Sequence, residues 1–409
     1  MSKLFNHIVV SAAKSNMTDN MTEFQKGTKK GHRPDEHVFV LSSFMALCED
    51  AKTATVVQLM NFSKLFDREV LIDCLYKLYK NKIRGKLYRL FFIMNEENNI
   101  QVMTPLGLTK VAKTGSGLGQ GGLDSAFLSG VGLDNGVKEV FKDSRNEASY
   151  GTIPLNPMLY FDDISRLAKS LHDAQAGLIK LEQMAESKML DYNRDKTCAI
   201  IIGEKKARKR LEKEIELHPL QLYGEDLKTK TCDKYLGWNL NGESISKCSQ
   251  STIERRKGNV LKSIFKIQSI IEDSRCEVLG GVSTAVMIWE RAVIPFLLFS
   301  SKNWIRMSKE SLKILTDLQN TFLRAVFSVA SSCPIPIMLF DTKTLSMELR
   351  IMQRKLNFAY HLANLPETSL GFKIYNEMRI FNLPGLHREI VEFICELGLK
   401  DIENYTLRE

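Results

Sequence analysis

The pattern of apolar and polar positions divides the chain into a mixed front and a helical back. Pro34-Asp35 marks a helix entry, after which Val38, Leu41, Phe44, Met45 and Cys48 recur at helical spacing. Ala54 to Phe62 reads as a strand, with β-branched Thr55, Val56 and Val57. Arg68 to Lys80 reads as a helix on the stripe Val70, Leu71, Cys74, Leu75, Leu78 and Tyr79. A second helix is expected over about 84–94, on Leu87, Leu90, Phe91 and Met94. Ile100 to Ala112 suggests a pair of short strands, followed by the glycine-rich run from Gly115 to Gly122. Helical spacing resumes at Phe127, Leu128 and Val131. Met158 to Ile164 is a short apolar strand interrupted by Asp162-Asp163. A helix over His172 to Leu190, a turn at Asn193 to Lys196 and a strand over Cys198 to Ile202 follow. A last strand-like piece lies at Tyr235 to Trp238.

From Ser251 onward the spacing is almost wholly helical. Ile264, Ile267, Ile270 and Ile271 form one stripe, and Leu312, Leu315, Leu318 and Phe322 form another. Cys333-Pro334-Ile335-Pro336 breaks the pattern, and a further helix over Leu345 to Leu365 stops at Pro366. The expected plan is a mixed α+β body to about residue 242 and a helical remainder.

Composition narrows the function classes. The 409 residues are 44% apolar and 26% charged, ordinary for a globular chain. There are 57 basic against 48 acidic residues, a net charge of +9, which favours an acidic partner such as nucleic acid. Charge alone fits an ordinary basic enzyme equally well. The most apolar stretch, Val293 to Phe299, is too short for a bilayer, and Ile8-Val9-Val10 is too brief for a signal peptide. No membrane partner is expected, and the expected location is nuclear or cytoplasmic. The 8 cysteines are scattered, with no C-x-x-C pair, which argues against zinc ribbons and for a reducing compartment.

Tyr160-Phe161-Asp162-Asp163 carries the most chemistry. Adjacent carboxylates after an apolar strand suit a tight turn, and carboxylates placed there can hold Mg²⁺. Two-metal phosphoryl transfer clamps its ions with such groups. Taken alone, a plain β-turn is the simpler account of the pair. Gly117, Gly119 and Gly122 satisfy G-x-G-x-x-G, with Glu139 downstream, yet no apolar strand precedes the loop, so a dinucleotide site is rejected. Its amides can still meet phosphate or a base pair, or belong to a surface loop. Asn61 to Asp67 joins strand to helix, with Ser63 as a candidate cap. The basic run Lys205 to Arg210 is a solvated face, a phosphate-contact patch or a nuclear localisation signal.

The order of these pieces is more specific than any one of them. Asn-Phe-Ser-Lys-Leu-Phe-Asp (61–67), Gln120-Gly121, Tyr160-Phe161-Asp162-Asp163, Asn193-x-x-Lys196-Thr197 and Tyr235-Leu236-Gly237 follow one another along the chain. The series resembles the reverse transcriptase domain of non-LTR (LINE-type) retrotransposons. Phe24-Gln25-Lys26-Gly27 with Gly31-His32-Arg33 resembles that family's finger segment, and the likeness runs over roughly residues 23–365. It implies a right-hand polymerase: an α+β fold with fingers, a palm built on an antiparallel sheet, and a helical thumb. Residues 1–53 and 85–115 would form fingers, 54–84 and 116–230 palm, 231–242 a primer-grip hairpin, 243–330 thumb and 331–409 a helical tail. The implied reaction is RNA-directed addition of dNTPs to a DNA primer, with Mg²⁺ or Mn²⁺ as cofactor. By the same likeness Asp162 and Asp163 are the metal-binding catalytic pair, and Phe66 lies under the incoming sugar. Gln120 and Gly121 contact nucleotide and template, Lys196 faces the leaving pyrophosphate, and Tyr235, Leu236 and Gly237 grip the primer.

Departures from the family pattern shape the expectation. Asn61 stands where the palm Asp should bridge both metals, and an amide removes a full negative charge there. Gly119 replaces a usual basic residue, Ala126 a proline and Leu65 an alanine, while Ile164-Ser165-Arg166-Leu167 is less strand-like than the family segment. Asp67 is expected in the following helix and does not replace the missing acid. The sequence therefore reads as a truncated, partly degenerate reverse transcriptase with an impaired catalytic centre. The alternative is a non-catalytic remnant that binds nucleic acid or another protein.

Overall fold

A computed structural model of the 409-residue chain describes residues 2–17, 25–27, 32–96, 99–113, 117–119, 121–141, 148–155, 157–272 and 281–398. The chain divides into two compact units, Met1–His37 with Ala54–Ile201 and Lys206–Lys230, and Val38–Thr53 with Ile202–Lys205 and Thr231–Glu409.

The first unit is built on a four-stranded sheet. Its strands are β1 (Ala54–Met60), β2 (Met158–Tyr160), β3 (Asp163–Ala168) and β4 (Cys198–Gly203), in the order β4-β1-β3-β2. β1 and β3 run antiparallel, with Met60 opposite Ile164 and Val56 opposite Ala168. Both central strands are buried almost throughout, as expected of strands covered on two faces. Ile164 to Leu167 is thus regular central strand, correcting the sequence expectation. The polar members Ser165 and Arg166 are accommodated by neighbours. Buried Arg166 donates to Gln58 Oε1 at 2.9 Å and to the Asp173 carbonyl at 3.0 Å, while Gln58 donates to the Ala174 carbonyl at 2.9 Å. A Cβ at Gly177 would lie 2.2 Å from Arg166 Nη1, so a glycine is required where the helix passes over the guanidinium.

Of the helices, α1 (Ser2–Asn16), α2 (Pro34–Asp50), α3 (Leu71–Lys80), α4 (Gly85–Glu96), α5 (Leu123–Phe141), α6 (Leu171–Ser187) and α7 (Lys205–Leu217), most belong to this unit. α6 packs on β1 and β3 and buries Ala174, Leu178 and Leu181 in the sheet core. α1, α3, α4 and α5 share a second core around Leu75, Leu78, Phe91 and Phe127. Burying roughly 150–250 Å² per aromatic ring makes Phe91 and Phe127, stacked at 5.7 Å, the centre of that core. The amphipathic α1, to which the sequence pattern assigned no element, has Val9, Val10 and Ala13 as its buried face. The strand expected to reach Phe62 ends at Met60, and Phe62 instead bridges to Tyr192 and stacks on its ring at 4.6 Å. Ser63 does not cap the next helix. That short helix, Leu65–Arg68, starts from Lys64 in the left-handed region with no side-chain cap. The region read as a strand pair holds two two-residue ladders, Asn99–Ile100 with Ala112–Lys113 and Met103–Thr104 with Gly107–Leu108.

From Thr231 onward the described residues of the second unit are helical apart from one hairpin. β5 (Cys232–Tyr235) and β6 (Trp238–Asn241) pair antiparallel and pack on α8 (Ile245–Glu272). α9 (Lys309–Phe327) packs along α8, and α10 (Met347–Ala363), α11 (Leu370–Phe381) and α12 (Leu386–Glu396) are further helices of the unit. Ser308, Ser346 and Ser369 each accept a hydrogen bond from the backbone amide three residues on, which fixes where α9, α10 and α11 begin. Trp238, Trp289 and Trp304 are buried, and Trp289 stacks on Phe322 at 4.2 Å. Pro334 and Pro336, which broke the sequence pattern, start the short helix Ile335–Thr342. Buried Lys355 is held by the Trp304 carbonyl at 2.9 Å and Glu389 at 2.6 Å.

Candidate functional site

Sheet register brings the acidic pair to the end of β1. Tyr160 pairs with Asp163 across a two-residue turn, Phe161-Asp162. Asp163 opens β3 one position before Ile164, the partner of Met60. Asn61 follows Met60, so it faces Asp163, and its side-chain nitrogen lies 3.5 Å from Asp163 Oδ1.

Lys196 arrives from another direction. Asn193 folds the chain into a turn by accepting from the amides of Asp195 at 3.0 Å and Lys196 at 3.2 Å. The Asn193 amide in turn donates to the Asn61 carbonyl at 2.7 Å, and Asn61 N–H donates to Thr197 Oγ1 at 3.2 Å. β1 and the turn before β4 are therefore tied together at Asn61. Burial pushes the Asp162 carboxyl above the usual carboxylate range, while its own backbone amide and the Lys196 ammonium pull the other way. Asn61, Asp162 and Asp163 are each half-buried and Lys196 is exposed. Among the described residues, no group of three or more His, Cys, Asp or Glu side chains converges to hold a metal. Two carboxylates and one amide are a weaker set of hard oxygen ligands for Mg²⁺ than three carboxylates.

The turn is held by a residue that sequence reasoning had placed only in a finger motif. Gln25 is fully buried; its Oε1 accepts from the Phe161 amide at 2.9 Å, and its Nε2 donates to the Phe161 carbonyl at 3.1 Å. Gln25 Oε1 also takes the Gly27 amide at 3.0 Å, and Lys26 N–H donates to the Leu159 carbonyl at 3.0 Å. Phe161 sits at φ 55°, a conformation unusual outside glycine, and this clasp holds it there. A Cβ at Gly27 would come within 2.8 Å of the Phe161 ring. The run Gln25-Lys26-Gly27 was the available signal, but nothing local in it points to residue 161. Lys26 is buried, and Lys29 and Lys30 lie outside the described residues. Next to it, burial and the Lys26 charge push His37 down to about 3, so it is neutral, and its ring meets Tyr160 edge-on at 5.9 Å.

Phe66 lies on Leu65–Arg68, half-buried against the α3–α5 core. Its carbonyl accepts from the Leu118 amide, and the Gly117 amide donates to the Glu69 carbonyl at 3.2 Å. Gly117 has φ 96°, and a Cβ there would sit 2.9 Å from the Phe66 carbonyl oxygen, so the glycine loop docks where only glycine fits. Gly121 is exposed at φ 85°, while Gln120 lies outside the described residues. Tyr235, Leu236 and Gly237 belong to the second unit. Leu236 and Gly237 form the β5–β6 turn with φ 45° and 82°, and Arg256 and Arg255 donate to the Gly237 carbonyl at 2.7 and 3.1 Å. Of the basic run, Lys205, Lys206, Lys209 and Arg210 are exposed on α7 and Arg208 is buried. No described helix is long and apolar enough to cross a membrane.

No family model matches the sequence, and no curated protein matches it. Solved structures do. Apo telomerase from Candida tropicalis aligns at 11% identity and TM-score 0.44, over 91% of this chain and 61% of that chain. Telomerase from Candida albicans, solved with a TWJ fragment of telomeric RNA, aligns at 9% identity and TM-score 0.39, over 90% of this chain and 58% of that one. The chain spans less than two thirds of the length of either telomerase. A likeness this loose does not by itself assign an activity.

Proposed function

We propose that the chain is a reverse transcriptase-like domain of the non-LTR type that engages an RNA template and DNA primer, with catalysis impaired at Asn61. The observation that carries this is the meeting of Asn61, Asp162, Asp163 and Lys196 at one end of a four-stranded sheet. In such a site the residues would divide the work as follows. Asp162 and Asp163 would hold Mg²⁺ or Mn²⁺ by their carboxylate oxygens, and the ions would neutralise charge developing on the transferred phosphoryl group. Lys196, exposed beside the pair, would meet the departing pyrophosphate. Phe66 would lie under the sugar of an incoming dNTP, and Gln120-Gly121 would border it. Asn61 would contribute only a neutral amide oxygen to that hold, where a carboxylate would add a full negative charge.

The net charge of +9 supports nucleic acid as the ligand. Binding of a labelled RNA–DNA primer–template to the full chain at two salt concentrations tests this. Phosphate contacts release counterions, so affinity must fall steeply as salt rises. A flat response, or no binding, overturns the reading.

A further inference from the structure

A second surface in the first unit has chemistry that the carboxylate site does not use. Between residues 74 and 95 the chain carries six basic residues and no acid. Lys77 turns inward to Asp73 at 2.6 Å and the Gly132 carbonyl at 3.0 Å. The other five, Lys80, Lys82, Arg84, Lys86 and Arg89, are exposed at the α3–α4 turn, and none forms an ion pair among the described residues. The same turn displays aromatic rings. Tyr76 is 54% exposed and Tyr79 44% exposed, separated by about one helical turn, so they share a face of α3. Tyr88 of α4 meets Tyr79 edge-on at 6.0 Å. Cations accompany the rings: Lys80 Nζ lies 5.2 Å from the Tyr76 centroid and Arg84 Cζ 4.5 Å from that of Tyr79.

We propose that this face binds single-stranded nucleic acid, the tyrosines stacking bases and the basic side chains neutralising the backbone. Sequence-tolerant single-strand sites combine these two elements. A folded core has no reason to expose two tyrosines together, and the five exposed cations outweigh the one half-exposed acid of α3, Asp73, which is already paired with Lys77 and Lys188, so the balance favours a polyanion over a protein of mixed charge. A base paired within a duplex offers no free face to a tyrosine, so the occupant is unpaired. The proposal rests on the reading of the chain as a nucleic-acid binder, but uses none of Asn61, Asp162, Asp163 or Lys196.

The test is fluorescence anisotropy of the full chain with a labelled oligouridylate, a matching oligothymidylate and a duplex of equal length. Both single strands should bind, and more tightly than the duplex. The double variant Tyr76→Ala/Tyr79→Ala should weaken single-strand binding by about tenfold or more, and Tyr76→Phe/Tyr79→Phe should retain it. Lys80→Gln/Arg84→Gln should lower the slope of log affinity on log salt by about 1.4 for the two lost phosphate contacts. All four positions are exposed, so circular dichroism melting should be unchanged. Wild-type chain that binds neither the single strands nor the duplex defeats the nucleic-acid reading with the proposal, whereas duplex binding without single-strand binding overturns the proposal alone. Wild-type binding that both double variants leave intact overturns the proposal alone. Binding to phosphatidylserine vesicles with none to either oligonucleotide overturns it in favour of a membrane surface.

Discussion

Replacing Asn61 with aspartate would place a carboxylate where the amide nitrogen now lies 3.5 Å from Asp163 Oδ1. With nothing between them, two unit charges at that distance repel by about 5 kcal/mol at an effective dielectric constant of about 20. Rotation of the new side chain and entry of water would reduce this, leaving a destabilisation of about 2 kcal/mol at neutral pH. For a unit of this size that lowers the melting temperature by roughly 4–8 °C. A divalent cation bound by the three carboxylates reverses the sign. At a free concentration about a hundredfold above its dissociation constant it adds about 2.7 kcal/mol to the folded state. Asn61→Asp should therefore melt below the wild type in chelator and recover in excess Mg²⁺ or Mn²⁺, while the wild type shifts much less. Equal melting of the two chains in chelator, with no response of the variant to either ion, would refute the convergence of residues 61, 162 and 163.

Other consequences are more local. Gln25→Ala would strip both Phe161 backbone groups of their buried partner and should destabilise the first unit by about 2–3 kcal/mol, read from the denaturant midpoint. Gly177→Ala would drive a methyl group into the Arg166 guanidinium and should cost about 1–3 kcal/mol in the same measurement, relieved when combined with Arg166→Met. Burial raises the Asp162 carboxyl, so its contribution is full below the ordinary carboxylate value and is lost as pH rises through the raised one. Asp162→Asn should therefore gain stability relative to the wild type between about pH 4 and about pH 7; a constant difference across that range would contradict the desolvation argument.

Much of this architecture was legible in the sequence, because the signals are local. The β-branched run at Thr55 to Val57, the stripe in α3 and the Asn193 turn each produce the expected element. Features set by tertiary contacts were not legible. Arg166 looked wrong for a strand because its acceptor Gln58 is 108 residues away. The clasp of Gln25 on Phe161 spans 136 residues, and its physical content is a pair of backbone hydrogen bonds that no motif displays. Ser63 does not cap because the helix starts one residue later, from Lys64 in the left-handed region, while the Ser63 amide donates to the Asp191 carbonyl. At the site itself, the pairing of Asn61 with the acidic turn follows from β1–β3 register, which the hydrophobic pattern constrains but does not name.

The most direct test of the central claim is primer extension. The full-length chain and its Asn61→Asp variant are compared on an RNA template with a DNA primer, dNTPs and Mg²⁺ or Mn²⁺. The account predicts no extension above background by the wild type and measurable extension by the variant. Robust synthesis by the unmodified chain would contradict it.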